Sequence, residues 1–315
     1  MRIDVSRVPF EGSFVRVSSI GTSGARAFVL VAGIGVAATY YERLAPDLNE
    51  FGPVHALDLP GFAGVPHPRG RITIERYADA VERALDALGL DDPVLVGHSM
   101  GTQIVSEVAA RRPALSRVVL ISPVVNAAER KAWLQGIRFL QSSVHEPLKV
   151  ALLAVAAYAL CGFRWFFAVL PAMIRFPIEE RFGAIRAATL VIRGEHDALC
   201  PRPWIEDVAR MLPEGSIWEI EGAAHSVMHD HAEAVARLCV EHVRGAADAG
   251  EDARLRVVDA AVVEPGNPRP RLALRAILGR LVELRGTVGG DDRLIARGKT
   301  EHAEAMAEAY DEDQP

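Results

Sequence analysis

Val94-Leu95-Val96-Gly97-His98-Ser99-Met100-Gly101, running straight into a helix-length segment at 103–112, is the stretch that decides the fold. Its first three residues form a short apolar run that reads as a buried strand. Pro113 closes the segment that follows, as expected at the end of a helix. Between them Gly97 and Gly101 give room for a sharp strand-to-helix turn, which lifts the Ser99 hydroxyl above the strand end. A helix start carries unpaired backbone N–H groups, so the N–H of Met100 can face a developing anion. A G-x-S-x-G pentapeptide can arise by accident; its place directly between a strand and a helix gives it weight here.

Outward from that turn, short Val- and Leu-rich runs at 27–31, 54–57, 94–96 and 118–121 alternate with amphipathic segments at 39–50, 73–88 and 103–112. The runs lack polar alternation, as central parallel strands covered on both faces do. The rhythm predicts an α/β chain with a mostly parallel, doubly wound sheet. Thr73 before Ile74-Glu75-Arg76 and Gly89 after Leu88 are consistent helix punctuation. From about 126 to 182 the rhythm stops, and a helical, strongly apolar stretch containing Trp133, Tyr158, Trp165 and Phe166 predicts an inserted helical cap. Strands resume at 189–193 and 216–220, with helices at 203–211 and 232–244. The expected division is a core of 1–125 and 183–245, a cap of 126–182, and a charged C-terminal appendage of 246–315, partly helical or disordered. Within the appendage, 265–270 reads Pro-Gly-Asn-Pro-Arg-Pro, a linker; 272–284 has apolar residues at helical spacing, and 300–310 is a charged, Ala-rich run.

The chain has 315 residues, half of them apolar and about a quarter charged, enough for one large domain with an insertion or a tail. A formal net charge of -6 gives no general pull towards nucleic acid or an anionic membrane, so small-molecule chemistry is expected and nucleic acid is not. Cys161, Cys200 and Cys239 are odd in number and far apart, which suggests neither a disulfide framework nor a Cys-based zinc site. The first ten residues include Arg2, Asp4 and Arg7 and lack the apolar core of a secretory signal. A cytoplasmic location is expected. The apolar stretch 150–174 is split by Arg164 into pieces shorter than the roughly 20 residues that span a bilayer.

A serine hydroxyl needs a base to take its proton during attack. Two loops offer partners at strand ends: Gly194-Glu195-His196-Asp197 after the run at 189–193, and Gly222-Ala223-Ala224-His225 after the run at 216–220. These lie at the strand edge from which Ser99 emerges, where open α/β sheets bind ligands. His225 is the candidate base and later acid, with Asp197 to orient its ring and stabilise its charged form. Asp197 lies in a turn-like Glu-His-Asp stretch, in which Glu195 and His196 also read as plain turn residues. His225 and His229 stand four residues apart, a spacing also used for metal, but no Glu accompanies them as in H-E-x-x-H, and neither metal nor cofactor is expected. The glycines of Val31-Ala32-Gly33-Ile34-Gly35 allow backbone approach to a substrate oxygen, making the Ile34 N–H the second candidate oxyanion donor, although the same residues suit a plain turn. His98 is set aside as structural, because alternation along a strand points it away from Ser99.

Together these segments, with Asp58-Leu59-Pro60-Gly61-Phe62-Ala63-Gly64, make residues 14–244 resemble the α/β-hydrolase superfamily. The resemblance implies the α/β-hydrolase fold, a triad in the order Ser99, Asp197, His225, and a cap inserted after the sixth strand. Ala32 departs from the family pattern, in which His often precedes the oxyanion glycine. Dehalogenases and epoxide hydrolases of this fold use Asp at the elbow, so Ser99 argues against both. Hydrolysis of a carboxylic ester, thioester or lactone is the first expectation, and hydrolysis of a carbon–carbon bond the second. A non-catalytic protein that holds a small ligand in the capped pocket is the rival from another class; a complete triad speaks against it. The apolar cap suggests an acyl or aromatic substrate group and either packs onto the core or forms a lipid-facing lid. Oligomeric state is not readable. Residues 278–310 faintly resemble CsbD-type stress proteins through Gly279-Arg280-Leu281-Val282-Glu283-Leu284-Arg285-Gly286, and deletion after Gly250 is expected to leave hydrolysis nearly intact.

Overall fold

The computed structural model describes residues 2–146, 148–245, 255–258 and 270–312. The linker at 265–269 and much of the remaining appendage therefore lie outside the described residues. The chain opens with a hairpin of β1 (Ile3–Phe10) and β2 (Ser13–Ile20), followed by β3 (Phe28–Val31), a 3₁₀ turn at Ala38–Tyr41, α1 (Leu44–Asn49), β4 (Val54–Asp58), α2 (Ile74–Leu88), β5 (Val94–His98), α3 (Met100–Arg111) and β6 (Arg117–Ile121). Four helices intervene: α4 (Ala132–Ser143), α5 (Leu148–Cys161), α6 (Phe163–Arg175) and α7 (Glu179–Phe182). Then come β7 (Ala188–Gly194), α8 (Arg202–Met211), β8 (Gly215–Ile220), α9 (Val227–Asp230), α10 (Ala232–Val243), β9 (Arg256–Val258), α11 (Pro270–Gly289) and α12 (Asp292–Glu312).

The nine strands form one sheet in the order β1-β2-β4-β3-β5-β6-β7-β8-β9. β1 to β2 and β2 to β4 are antiparallel; every later pairing is parallel. The middle strands β3, β5 and β7 are buried at every residue, which is why their sequences do not alternate. Apolar side chains of α2, α3 and α8 fill one face of the sheet, and those of α1 and α10 the other. The reversal of strand order between β3 and β5 opens a crevice at the C-terminal edge.

Two local departures from the sequence reading have physical causes. The segment at 39–50 is not one helix but a 3₁₀ turn and then α1, because Pro46 lacks an N–H and fits only in a first helical turn, so the helix starts at Leu44. The β1–β2 hairpin was absent from that reading. β1 lies at the sheet edge with most residues exposed or half-buried, and so carries a weak apolar pattern.

The helices α5 and α6 meet at Gly162, whose φ of 80° breaks the chain, and their axes bend by 98°. No single helix among the described residues is long and apolar enough to cross a membrane. Beyond residue 245 the chain returns to the core. β9 pairs with β8, and α11 and α12 form a hairpin whose second helix packs on β1. There Lys299 Nζ donates to Ser18 Oγ at 2.9 Å, the Ile3 N–H to Thr300 Oγ1 at 3.1 Å, and Arg7 Nη2 to Asp292 Oδ1 at 2.9 Å.

Candidate active site

β5 delivers Ser99 in a conformation few side chains adopt, φ 53° and ψ -122°. Such backbone strain persists only where surrounding contacts fix it. The Ser99 N–H donates to the Ile121 carbonyl at 3.0 Å, and the Ser99 carbonyl accepts from Thr102 N at 2.9 Å and Thr102 Oγ1 at 2.6 Å. Close backbone approach does the rest. A Cβ on Gly97 would stand 2.5 Å from the Gly101 carbonyl oxygen, and one on Gly101 would strike the Val31 carbonyl oxygen. Met100 is the first residue of α3, so its N–H has no carbonyl four residues back within the helix. The loop carrying Ile34 adjoins the nucleophile: a Cβ on Gly33 would lie 3.1 Å from Ser99 Cβ.

Asp197 and His225 follow β7 and β8, which are neighbours in parallel register. A Cβ on Gly194 would collide with the Ala224 carbonyl, and Glu195 N and His196 N donate to the Ile220 and Ala223 carbonyls at 3.0 and 2.8 Å, so the two loops are stitched together. His225 Nδ1 lies 3.0 Å from Asp197 Oδ2. The other carboxylate oxygen accepts from the N–H groups of Leu199 at 3.0 Å and Cys200 at 3.2 Å, and Ser142 Oγ of α4 approaches it at 3.5 Å. Burial alone would raise the Asp197 pKa, but the charge and hydrogen bond of His225 outweigh it and hold the carboxyl down at about 2. Burial likewise opposes a charged His225, yet Asp197, with a smaller contribution from Glu146, raises its pKa above the ordinary 6.5. The other residues of the turn have their own partners: Glu195 accepts from the Gly222 N–H at 3.0 Å, and His196 stacks on His145 with ring centroids 4.5 Å apart.

Four contributors escaped the sequence reading. His98 stacks beside Tyr40 and places its ring centroid 4.9 Å from that of His225, with Nε2 3.0 Å from the His225 carbonyl oxygen. Burial, then the nearby His225 charge, lowers its pKa to about 3, so it is neutral and donates through Nε2. Ser122 Oγ reaches the same carbonyl at 3.4 Å. Ser142 and Glu146 come from the cap segment; Glu146 Oε1 accepts the Ser226 N–H at 2.7 Å, next to the histidine. Only the adjacency of His98 to Ser99 was visible in sequence; the rest depend on contacts between distant segments. His229 pairs with Glu42 and Asp230 at 3.5 and 3.3 Å, and among the described residues no three or more His, Cys, Asp or Glu side chains gather as a metal site.

Side chains of α5 and α6 reach this edge. Tyr158 and Phe166 stand against Gly35, and Trp165 covers Gly61 while stacking on His67. Ser99 and His225 are each only 8% exposed.

Against known proteins, the model described as "Alpha/beta hydrolase family" matches residues 28–238. The pimeloyl-[acyl-carrier protein] methyl ester esterase of Neisseria meningitidis is 28% identical over 246 residues, 70% of this chain and 77% of that protein. The 2-hydroxymuconate semialdehyde hydrolase of Pseudomonas putida is 29% identical over 225 residues, 62% of this chain and 78% of that protein. Two further curated relatives are matched over only 11% and 44% of their own lengths. Among solved structures, a bacterial membrane phospholipase A superposes with a TM-score of 0.65 at 22% identity, covering 78% of this chain and 86% of that one, a likeness of fold.

Proposed function

This chain belongs to the alpha/beta hydrolase family, and on that premise we propose that it is a serine hydrolase acting on a carboxylic ester, thioester or lactone of a small, largely apolar substrate. The observation that carries the reading is the 3.0 Å contact between Asp197 and His225 at the sheet edge where the strained turn presents Ser99. In this reading Ser99 Oγ attacks the carbonyl carbon while His225 Nε2 takes its proton, and the oxyanion is held by the N–H groups of Ile34 and Met100. His225 then returns the proton to the departing oxygen or sulfur, leaving an acyl group on Ser99. Water, deprotonated by the same imidazole, releases the acid and restores the serine. Asp197 keeps its proton off throughout and stabilises the imidazolium. Tyr158, Trp165 and Phe166 supply the apolar wall for the acyl or aromatic group, and no cofactor enters any step. The division into a core of 1–125 and 183–245, a cap of 126–182 and an appendage from 246 belongs to the same proposal.

Labelling with a fluorophosphonate, followed by peptide mapping, tests it. Modification at Ser99 that is lost in Ser99→Ala and falls in His225→Ala and Asp197→Asn is expected; no labelling of the folded wild-type chain would overturn it in favour of a ligand-binding protein. The likeness to a semialdehyde hydrolase favours one second reading, carbon–carbon bond hydrolysis. It requires turnover of vinylogous diketones well above that of simple esters.

A further inference from the structure

The reaction proposed above uses the inner surface of the cap and leaves its outer surface without a role. Among the described residues, every large apolar side chain that remains exposed lies between 126 and 182 or beyond residue 255; the sheet leaves Val257 of its edge strand β9, and the helices α1–α3, α8 and α10 leave none. On α11 the exposed residues Ile277, Leu281, Leu284 and Val288 recur at helical spacing along one face. The opposite face carries Gly279 and Gly286, where α12 packs so closely that a Cβ would meet its backbone at 2.6 Å. The hairpin therefore turns its apolar stripe outwards. The helix α4 repeats the pattern with Trp133, Ile137, Leu140 and Val144 exposed, while Gln135 and Ser142 are buried. On α6, Phe163 and Phe167 are 65% and 63% exposed.

These faces meet. Thr287 of α11 packs on Gly64, and three residues earlier in the same loop Gly61 lies beneath Trp165 of α6. Charge follows the same boundary. Lys131, Arg164, Arg175 and Arg285 are exposed in these segments, whereas Arg138 pairs with Glu129, Arg275 with Glu308, and Arg280 with Glu42 and Glu283. In a chain with a net charge of -6, four exposed basic side chains thus stand in the segments that expose apolar surface.

We propose that α11 and the outer faces of α4 and α6 together form a docking surface for an anionic lipid bilayer, on which the apolar side chains enter the headgroup boundary and Lys131, Arg164, Arg175 and Arg285 pair with headgroups. A second copy of the chain fits less well, since it would set basic faces against each other, whereas anionic lipid neutralises them. Docking needs no triad; it deepens the hydrolase reading only by naming where an apolar substrate is drawn from.

The test is sedimentation of the full chain with phosphatidylcholine vesicles and with vesicles containing phosphatidylglycerol, at low and high salt. Wild type should bind the anionic vesicles at least roughly tenfold more tightly, with the advantage falling as salt rises. The double variants Leu281→Ser/Leu284→Ser and Phe163→Ser/Phe167→Ser should each lose roughly tenfold or more in binding while keeping turnover of a water-soluble short-chain ester. Ser99→Ala should bind as wild type does. Absence of binding, equal binding to both vesicle types, or binding that neither double variant weakens overturns the proposal. So does a wild-type oligomer in light scattering that both variants dissociate, which would make the face a contact between copies. Vesicle binding with no ester turnover would sink the hydrolase reading alone.

Discussion

Protonation of one imidazole governs the pH behaviour expected of this site. In the proposed reaction His225 must be neutral to accept the Ser99 proton, and three groups face it: Asp197 and Glu146, which raise its pKa, and the neutral His98. Because the net direction is upwards from 6.5, the acid limb of kcat/KM should lie above that value. Removing an anion destabilises the imidazolium, so Glu146→Gln should move the limb to lower pH with modest loss of rate; an unmoved limb would show that Glu146 does not act on the histidine. Asp197→Asn should shift it in the same direction and lower kcat by roughly 10⁴-fold, as in comparable triads. The same carboxylate contributes to stability. Its folded pKa of about 2 lies below the ordinary 3.8, so that contribution is present above 3.8 and is lost as pH falls towards 2, a loss that acid titration of Asp197→Asn should lack. His98→Phe removes the hydrogen bond to the His225 carbonyl, worth about 1–2 kcal/mol, and should lower kcat roughly five- to thirtyfold with KM little changed.

At the scale of elements, the strained turn exists because β3, β5 and α3 crowd one another. Gly101 touches backbone, which cannot swing aside, so Gly101→Ala should cost about 1–3 kcal/mol by overpacking and lower the melting temperature by at least roughly 2 °C. A melting curve equal to wild type would mean that α3 can slide away from β3. The cap elements pose a different constraint. Gly162 joins α5, which carries Tyr158, to α6, which carries Trp165 and Phe166, and has open space where a Cβ would stand. Its positive φ still disfavours any other residue, so Gly162→Ala should stiffen or distort the joint and change KM more than it changes the pH profile.

For the whole molecule, the appendage is tied to both edges of the sheet, through β9 on β8 and through α12 on β1. Its contacts with the proposed triad are indirect: Glu42 pairs with His229 and with Arg280 and His302 of the hairpin. Truncation after Gly250 should therefore preserve turnover of a soluble ester, in keeping with the sequence reading, but lower the melting temperature, because it uncovers β1 and the outer edge of β8. Equal melting temperatures would show that these contacts add no stability.

Local pattern determined what could be read without a structure. The strand–turn–helix around Ser99, the order of Asp197 and His225, the parallel sheet and the apolar stretch between β6 and β7 are all written in residues close together in the chain, where glycine placement and apolar periodicity act directly. Tertiary structure decided what depends on distant segments meeting. The edge hairpin carries little apolar signal; His98, Ser122, Ser142 and Glu146 gain their places only when β5, β6, α4 and the loop after β8 converge; and the return of residues 256–258 and 270–312 to the sheet follows from contacts with β1 and β8 that no local spacing encodes.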